Sequence, residues 1–106
     1  KNNIAQPFMI FGSSRTLDYA KDRDQRAYVG EVVINLYGSD LYQLNQITII
    51  LEDLLHGYSG EQTIASKLIN VNDLRFDGVE VPEFDEDQNL FVVTCNLSYA
   101  LQYQPA

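Results

Sequence analysis

RAYVGEVVINLYGSDLYQLNQITIILEDLLHG, residues 26–57, changes its hydrophobic period from that of a strand to that of a helix. In its first half, apolar residues of one parity alternate with polar ones, which is typical of a half-buried strand: Tyr28, Val32, Ile34 and Leu36. In its second half, the apolar residues recur at helical spacing. We therefore predict a strand that leads directly into a helix, and a sheet on which that helix packs.

The predicted helix covers about residues 40–56. Ser39 or Asp40 can cap its N-terminus, Gln43 follows Asp40 by three positions as in a capping box, and Gly57 follows the last periodic residue. Winding the segment at about 100° per residue gives one broad apolar arc that we assign to the core. The arc consists of Leu41, Leu44, Ile47, Thr48, Leu51, Leu54 and Leu55.

Two further apolar residues, Tyr42 and Ile49, fall close together on the opposite side of this helix. One interpretation is that they are isolated surface residues, which are common in soluble proteins. The other is that they form a contact patch for a partner. The sequence leaves both interpretations open.

The rest of the chain predicts three more strands and a charged connection. The final strand is the clearest, because residues 91–103 alternate throughout between apolar and mixed positions. The other segments are a first strand at 7–11 with an exit at 12–14, a mobile exposed arm at 18–26, a strand at 67–76, a short edge segment at 79–84 and a loop at 85–89. The predicted fold class is α+β, with an antiparallel sheet of about four strands in β-β-α-β-β order and one helix on one face.

The length of 106 residues fits one domain, and no apolar run reaches the roughly 20 residues needed to span a bilayer. A formal charge of −8 argues against sequence-independent binding of nucleic acid. The charge is unevenly divided, with +1 over residues 1–38 and −9 over residues 39–106. Opposite patches of this kind can meet between subunits, although a solvated acidic surface is the more common explanation.

The sequence shows no catalytic, cofactor-binding or metal-binding constellation, so we predict that the chain is not an enzyme. Asp85, Asp87 and Asn89 match the start of an EF-hand loop, but the expected Gly is Leu90 and the expected twelfth-position Glu is Asn96. The single His56 is expected to cap the C-terminus of the helix. A lone cysteine closes no internal disulfide, so an intracellular origin is favoured and Cys95 is expected to be a buried structural thiol.

Taken in order, the stretch PFMIFG at 7–12, the charged arm, the stretch GEVVINLY at 30–37 and the helix at 40–55 resemble the tail-completion proteins of long-tailed bacteriophages. These proteins are also called tail terminators or head-to-tail joining proteins. The resemblance extends more loosely through the final strand at 91–103. The family often carries a helical segment before the first strand, whereas this chain begins almost at that strand, which fits a truncated or processed N-terminus.

The resemblance implies a virion protein that is assembled in the bacterial cytoplasm and forms a ring, usually a hexamer, at the head-proximal end of the tail. Its partners would be the tail tube protein and the head connector protein, and DNA would pass through the ring without specific binding. Rings of this kind need heterologous interfaces. The candidate interface residues are Lys21, Arg23 and Arg26 of the arm, expected to dock on an acidic surface of the next subunit, together with Tyr42 and Ile49.

A different class of function also fits the composition. An acidic protein-binding module, either an adaptor or an inhibitor that mimics nucleic acid, would carry its carboxylates on one rigid surface. Competition with DNA for a basic partner would distinguish it from a ring-forming structural protein.

Overall fold

The computed structural model describes residues 6–22, 25–64 and 67–105. Most of these residues form antiparallel strands, and one helix packs on the sheet. The elements in chain order are β1 (Phe8–Asp22), β2 (Gln25–Gly38), α1 (Leu41–Leu55), β3 (Gly60–Ile64), β4 (Lys67–Val79), β5 (Glu83–Asp85) and β6 (Leu90–Pro105).

The sheet has the strand order β1-β2-β6-β4-β3, and the short β5 pairs with the beginning of β6. β6 is central: it pairs with β2 along one side and with β4 along the other. Its 16 residues run nearly the whole length of a molecule whose principal extents are 49 × 28 × 20 Å. At about 1.5 Å per residue the 15-residue helix is roughly 22 Å long, so it covers only part of this sheet.

The core lies between α1 and the middle of the sheet. Leu44, Val93 and Cys95 are completely buried, and Ile34, Leu36 and Leu97 surround them. The predicted alternation of β6 is confirmed here, since alternate residues from Phe91 to Leu97 belong to this core or pack against it. Thr48 is the one polar residue among the buried ones described, and its hydroxyl donates to the Asn45 carbonyl at 2.7 Å.

Both predicted ends of the helix are confirmed. The Asp40 carboxylate accepts a hydrogen bond from the Gln43 backbone N–H at 3.3 Å, as an N-cap does. Gly57 follows the helix with φ +81°, in the left-handed region that glycine adopts without a Cβ clash. His56 is the C-cap residue, but its Nδ1 accepts the Phe76 backbone N–H at 3.1 Å. The imidazole therefore ties the end of the helix to β4.

The predicted fold class is wrong in its sheet. The sequence predicted about four strands in β-β-α-β-β order, whereas the sheet has six strands and the order is β-β-α-β-β-β-β. β3 was missed altogether. Its residues and those in the second half of β1 are mostly exposed where they are described, so neither segment carries the alternation that identifies a half-buried strand.

Two finer predictions are corrected as well. The predicted exposed loop at 18–26 is wrong for residues 18–22 and 25–26, because β1 continues to Asp22 and β2 begins at Gln25; residues 23 and 24 lie outside the described residues. Leu54 was assigned to the core but is 67% exposed. It lies at the margin of the apolar arc, together with the exposed Ile50, where the sheet offers no partner to bury it.

Candidate functional site

The arm formed by β1 and β2 presents arginines stacked on tyrosines. The Arg15 guanidinium lies 5.1 Å from the centre of the Tyr28 ring, and the Arg26 guanidinium lies 5.6 Å from the centre of the Tyr103 ring. Such cation–π contacts contribute roughly 0.5–1 kcal/mol each at exposed sites. They hold both cations at defined positions on the sheet rather than on mobile side chains.

Of the three basic residues predicted for the interface, only Arg26 can be placed. Arg23 lies outside the described residues, and the same holds for the side chain of Lys21. Arg15 was not predicted as a site residue, because the neighbouring sequence, GSSRT at 12–16, contains no motif that indicates a binding residue. It reaches the cationic surface because β1 runs antiparallel to β2 and brings residue 15 close to Tyr28.

The opposite end of the long axis is acidic. Residues 80–87 contain five carboxylates and no basic residue, and their strand β5 pairs with Leu90 to Val92 at the start of β6. The arm instead pairs with the end of β6, where Arg26 is opposite Tyr103. Since β6 is extended throughout, Arg26 and the acidic region lie toward opposite ends of the molecule, whereas Arg15 is opposite Gly30, which pairs with Tyr99 nearer the middle of β6.

Asp85, the first residue of the EF-hand-like triplet, organises the acidic turn. Its Oδ1 accepts the backbone N–H groups of Asp87 at 3.0 Å and Gln88 at 3.3 Å, and its Oδ2 accepts from the Gln88 side chain at 3.3 Å. These bonds are those of an aspartate-stabilised turn. In the part of the chain that the structure describes, no group of three or more His, Cys, Asp or Glu residues is arranged to hold a metal ion.

The outer face of the helix carries the second predicted patch. Tyr42 is 72% exposed and Ile49 is 61% exposed, as their helical spacing predicts. Whether they contact a partner stays a prediction. Ile50 and Leu54 are also exposed and form an apolar margin along the helix that the sequence interpretation missed.

The helix-free face of the sheet is built from side chains that bond to one another across strands. Thr94 donates to the Asn35 side chain at 2.8 Å, and Asn96 donates to the Glu80 carboxylate at 2.8 Å. Ser98 donates to Asp77 at 3.2 Å. These bonds fix Asp77 and Glu80 on a rigid surface, and Glu31, which pairs with Ser98, lies on the same face.

An apolar groove of about 370 Å³ opens where the helix stops. Its floor is formed by the sheet and its wall by the end of the helix, through Val32, Leu55, Leu74 and Leu101 among others. The Tyr99 ring lies so close over Gly30 that a Cβ there would be 2.3 Å from its Cζ. The groove is large enough for an apolar side chain and holds no ionisable side chain other than tyrosine hydroxyls.

The single cysteine, Cys95, lies in the core. Burial raises the pKa of the Cys95 thiol, which keeps it protonated inside the core. The helix of the described residues also lacks the length and hydropathy that crossing a membrane requires. The described surface presents stacked arginines, carboxylates, exposed apolar side chains and a sheet edge that has no strand partner among the described residues.

Comparison with known proteins adds no assignment. No family model matches the chain, and neither a curated protein nor a solved structure matches it.

Proposed function

We propose that the chain is a structural virion protein of the tail-completion type, which forms a ring that terminates a phage tail tube and joins it to the head connector. The sequence resemblance supplies the identity of this assembly. The structure contributes one supporting observation, which is the separation of charge along β6. A ring needs two different surfaces on each subunit that fit each other. Arg26 beside the end of β6 and the five carboxylates of residues 80–87 beside its start supply two unlike surfaces, although the arm also carries Asp18 and Asp22.

In this proposal the arm of one subunit docks on the acidic region of the next. Arg15 and Arg26 are held on the arm by Tyr28 and Tyr103, so less side-chain entropy is lost when they meet carboxylates than for free arginines. Carboxylates that remain exposed would line the channel and repel the phosphate backbone, so that DNA passes without binding. Tyr42 and Ile49 serve as a further contact, either between subunits or with the tail tube protein.

Electron microscopy of phage tails assembled with and without this protein tests the proposal. Without the protein we expect tails of uncontrolled length that do not attach to heads. Tails of normal length that join heads normally in its absence would refute the proposed function. This experiment does not depend on which surfaces of the chain make the contacts.

Charge reversal tests the docking of the arm. Reversal of Lys21, Arg23 and Arg26 to Glu should weaken ring assembly and reduce its dependence on salt, because exposed charge pairs are screened by ions. The matched control reverses Asp73, Asp77 and Glu61 to Lys, which leaves both the arm and residues 80–87 unchanged. Unchanged ring formation by the arm variant at low salt would rule out the docking of the arm.

The second candidate function is the acidic binding module, and one observation favours it. Glu31, Asp77 and Glu80 lie on the rigid helix-free face of the sheet, two of them fixed by hydrogen bonds to β6. An inhibitor that mimics nucleic acid would use such a surface against a basic partner. Displacement of duplex DNA from a basic DNA-binding protein, lost on neutralising these three residues to Gln or Asn, would support this candidate over the ring.

A further inference from the structure

β1 is an edge strand of unusual length and composition. It pairs with β2 on one side, and along its other side the described residues provide no strand partner. Edge strands of natural proteins are normally short, charged, interrupted by proline or covered, because their free N–H and C=O groups pair readily with other strands. Residues 8–14, FMIFGSS, have none of the sequence devices: they contain no charge and no proline.

Both faces of this stretch expose apolar side chains. Met9 and Phe11 pair with Leu36 and Ile34, so they lie on the helix side of the sheet, where they are 47% and 70% exposed. Ile10, on the other face, is 54% exposed. Strands in the interior of a sheet are paired along both edges, and those buried on both faces are apolar on both. Residues 8–14 have that composition although they lie at an edge.

The other free edges of the described sheet do not match this stretch. β3 has five residues and contains Glu61, while β5 has three and contains Glu83 and Asp85. The edge of β4 between them is occupied by the segment that follows the helix, through bonds of Gly57, Tyr58 and His56 to Leu74 and Phe76. Among the described strands, only β1 of another copy offers a free edge that is as long as residues 8–14 and equally uncharged.

Charge favours the same occupant for residues 8–14. Two copies of a chain with a net charge of −8 repel each other, and carboxylates lie on the helix and on every strand except β6, including Asp18 and Asp22 in the second half of β1. Residues 8–14 carry none. An antiparallel pair of β1 strands centred on Phe11 places Phe8 opposite Ser14 and Met9 opposite Ser13. No like charges then face each other within the pair, and the two Phe11 side chains meet across the two-fold axis.

We propose that two copies of this chain associate through their β1 edges, in an isologous antiparallel pairing of residues 8–14 that joins the two sheets. This contact goes beyond the ring, whose interfaces are heterologous, and does not require it. The same pairing gives the exposed Met9, Ile10 and Phe11 side chains cross-strand neighbours from the other copy, which buries part of their exposed surface.

Oxidative cross-linking of the purified full-length chain tests the pairing. Phe11→Cys should form a disulfide-linked dimer, because a residue on the two-fold axis faces itself. Val81→Cys is the matched control, since Val81 is 85% exposed but lies away from β1. The native Cys95 is buried and contributes little background. Selective cross-linking at residue 11 supports the proposal, whereas equal or faster cross-linking at residue 81 would overturn it.

Sedimentation of the unmodified chain supplies an independent measurement. The chain should sediment as a dimer, and Phe11→Lys should abolish that dimer while Val81→Lys retains it. Circular dichroism checks that both variants fold, which is expected because both side chains are mostly exposed. A chain that is monomeric at every concentration would overturn the proposal, even if β1 variants then lost binding to a different protein. Tail assembly is measured separately, so either proposal can fail alone.

Discussion

The β1 edge of the sheet and the side of β4 beyond β3 differ in whether the chain covers their backbone groups. On the β4 side, the chain that leaves the helix turns back and bonds to the edge: the Gly57 N–H donates to the Leu74 carbonyl at 2.7 Å, and the Leu74 N–H donates to the Tyr58 carbonyl at 3.1 Å. On the β1 side, a longer strand with four exposed apolar side chains has no such cover among the described residues. The chain thus covers the part of β4 beyond β3 with its own backbone, while the more apolar β1 edge has no described cover, which fits the proposed pairing of β1 with another copy.

The difference follows from where the helix lies. α1 packs over β2, β6 and β4 and ends beside Leu74, so its C-terminal residues can reach the β4 edge without a long loop. β1 lies on the other side of β2 and receives no helix. The apolar residues of β1 therefore remain exposed, and so do Ile50 and Leu54 on the margin of the helix. The buried core lies where the helix covers the sheet, and β1 lies outside that area.

The largest expected effect is that of Leu44→Ala, which removes a completely buried side chain between the helix and the sheet. We expect a loss of about 3 kcal/mol in the free energy of unfolding, because the cavity that it leaves cannot collapse fully. Ile50→Ala, on the exposed margin of the same helix, is the matched control and should change it by less than about 1 kcal/mol. Chemical denaturation measures both variants. Equal losses would show that Ile50 is as buried as Leu44, so that the core face and the margin of the helix do not differ.

Gly57 and Gly12 form a matched pair on the two edges. Gly57→Val places a β-branched side chain at φ +81° in the segment that covers β4, and we expect a loss of about 2 kcal/mol in the free energy of unfolding. Gly12→Val places the same side chain in β1, where a Cβ meets nothing within 4 Å, and should cost less than about 0.5 kcal/mol. Thermal denaturation compares them. A Gly12 variant as unstable as the Gly57 variant would contradict the openness of the β1 edge.

These two glycines also show what the sequence could predict. Gly57 was predicted as the residue that ends the helix, because residues 41–55 pack one face and their period shows where that packing stops. The final strand was predictable for the same reason, since one of its faces is buried. Gly12 was predicted to end the first strand, yet β1 continues ten residues beyond it. A strand with both faces exposed has no period to detect, so its extent depends on pairing with β2, which is not local in sequence.

The candidate site divides along the same line. The exposure of Tyr42 and Ile49 follows from helical geometry and was predictable. The stacking of Arg15 on Tyr28 depends on strand register, and the open edge depends on the order of strands in the sheet. Neither property is encoded in a short stretch of residues. Leu54 was misassigned because helical winding gives the direction of a side chain but not the position at which the sheet ends.

A smaller effect is expected at the cover of the β4 edge. His56→Ala removes the Nδ1 acceptor of the Phe76 N–H but leaves the bonds of Gly57 and Leu74. We expect a loss of about 1 kcal/mol in the free energy of unfolding, the usual value of one hydrogen bond. Hydrogen exchange measured by NMR should show faster exchange of the Phe76 amide than of the Leu74 amide. An unchanged exchange rate at Phe76 would mean that His56 does not cover this edge.

The smallest effect on stability is expected on the open edge itself. Ile10→Lys adds a charge to a side chain that is 54% exposed in β1, and the free energy of unfolding should change by less than about 0.5 kcal/mol. The same variant should raise the concentration at which the chain aggregates, because a lysine on an edge strand opposes pairing with other strands.

Val33→Lys is the matched control: Val33 lies on the same face one strand further in, between Gly12 and Asn96. It should lower the free energy of unfolding more than Ile10→Lys while improving solubility less, since β2 is paired on both sides and β1 has an edge without a strand partner among the described residues. The reverse ranking in denaturation and light-scattering measurements would place the reactive edge elsewhere and remove the asymmetry between the two sides of the sheet.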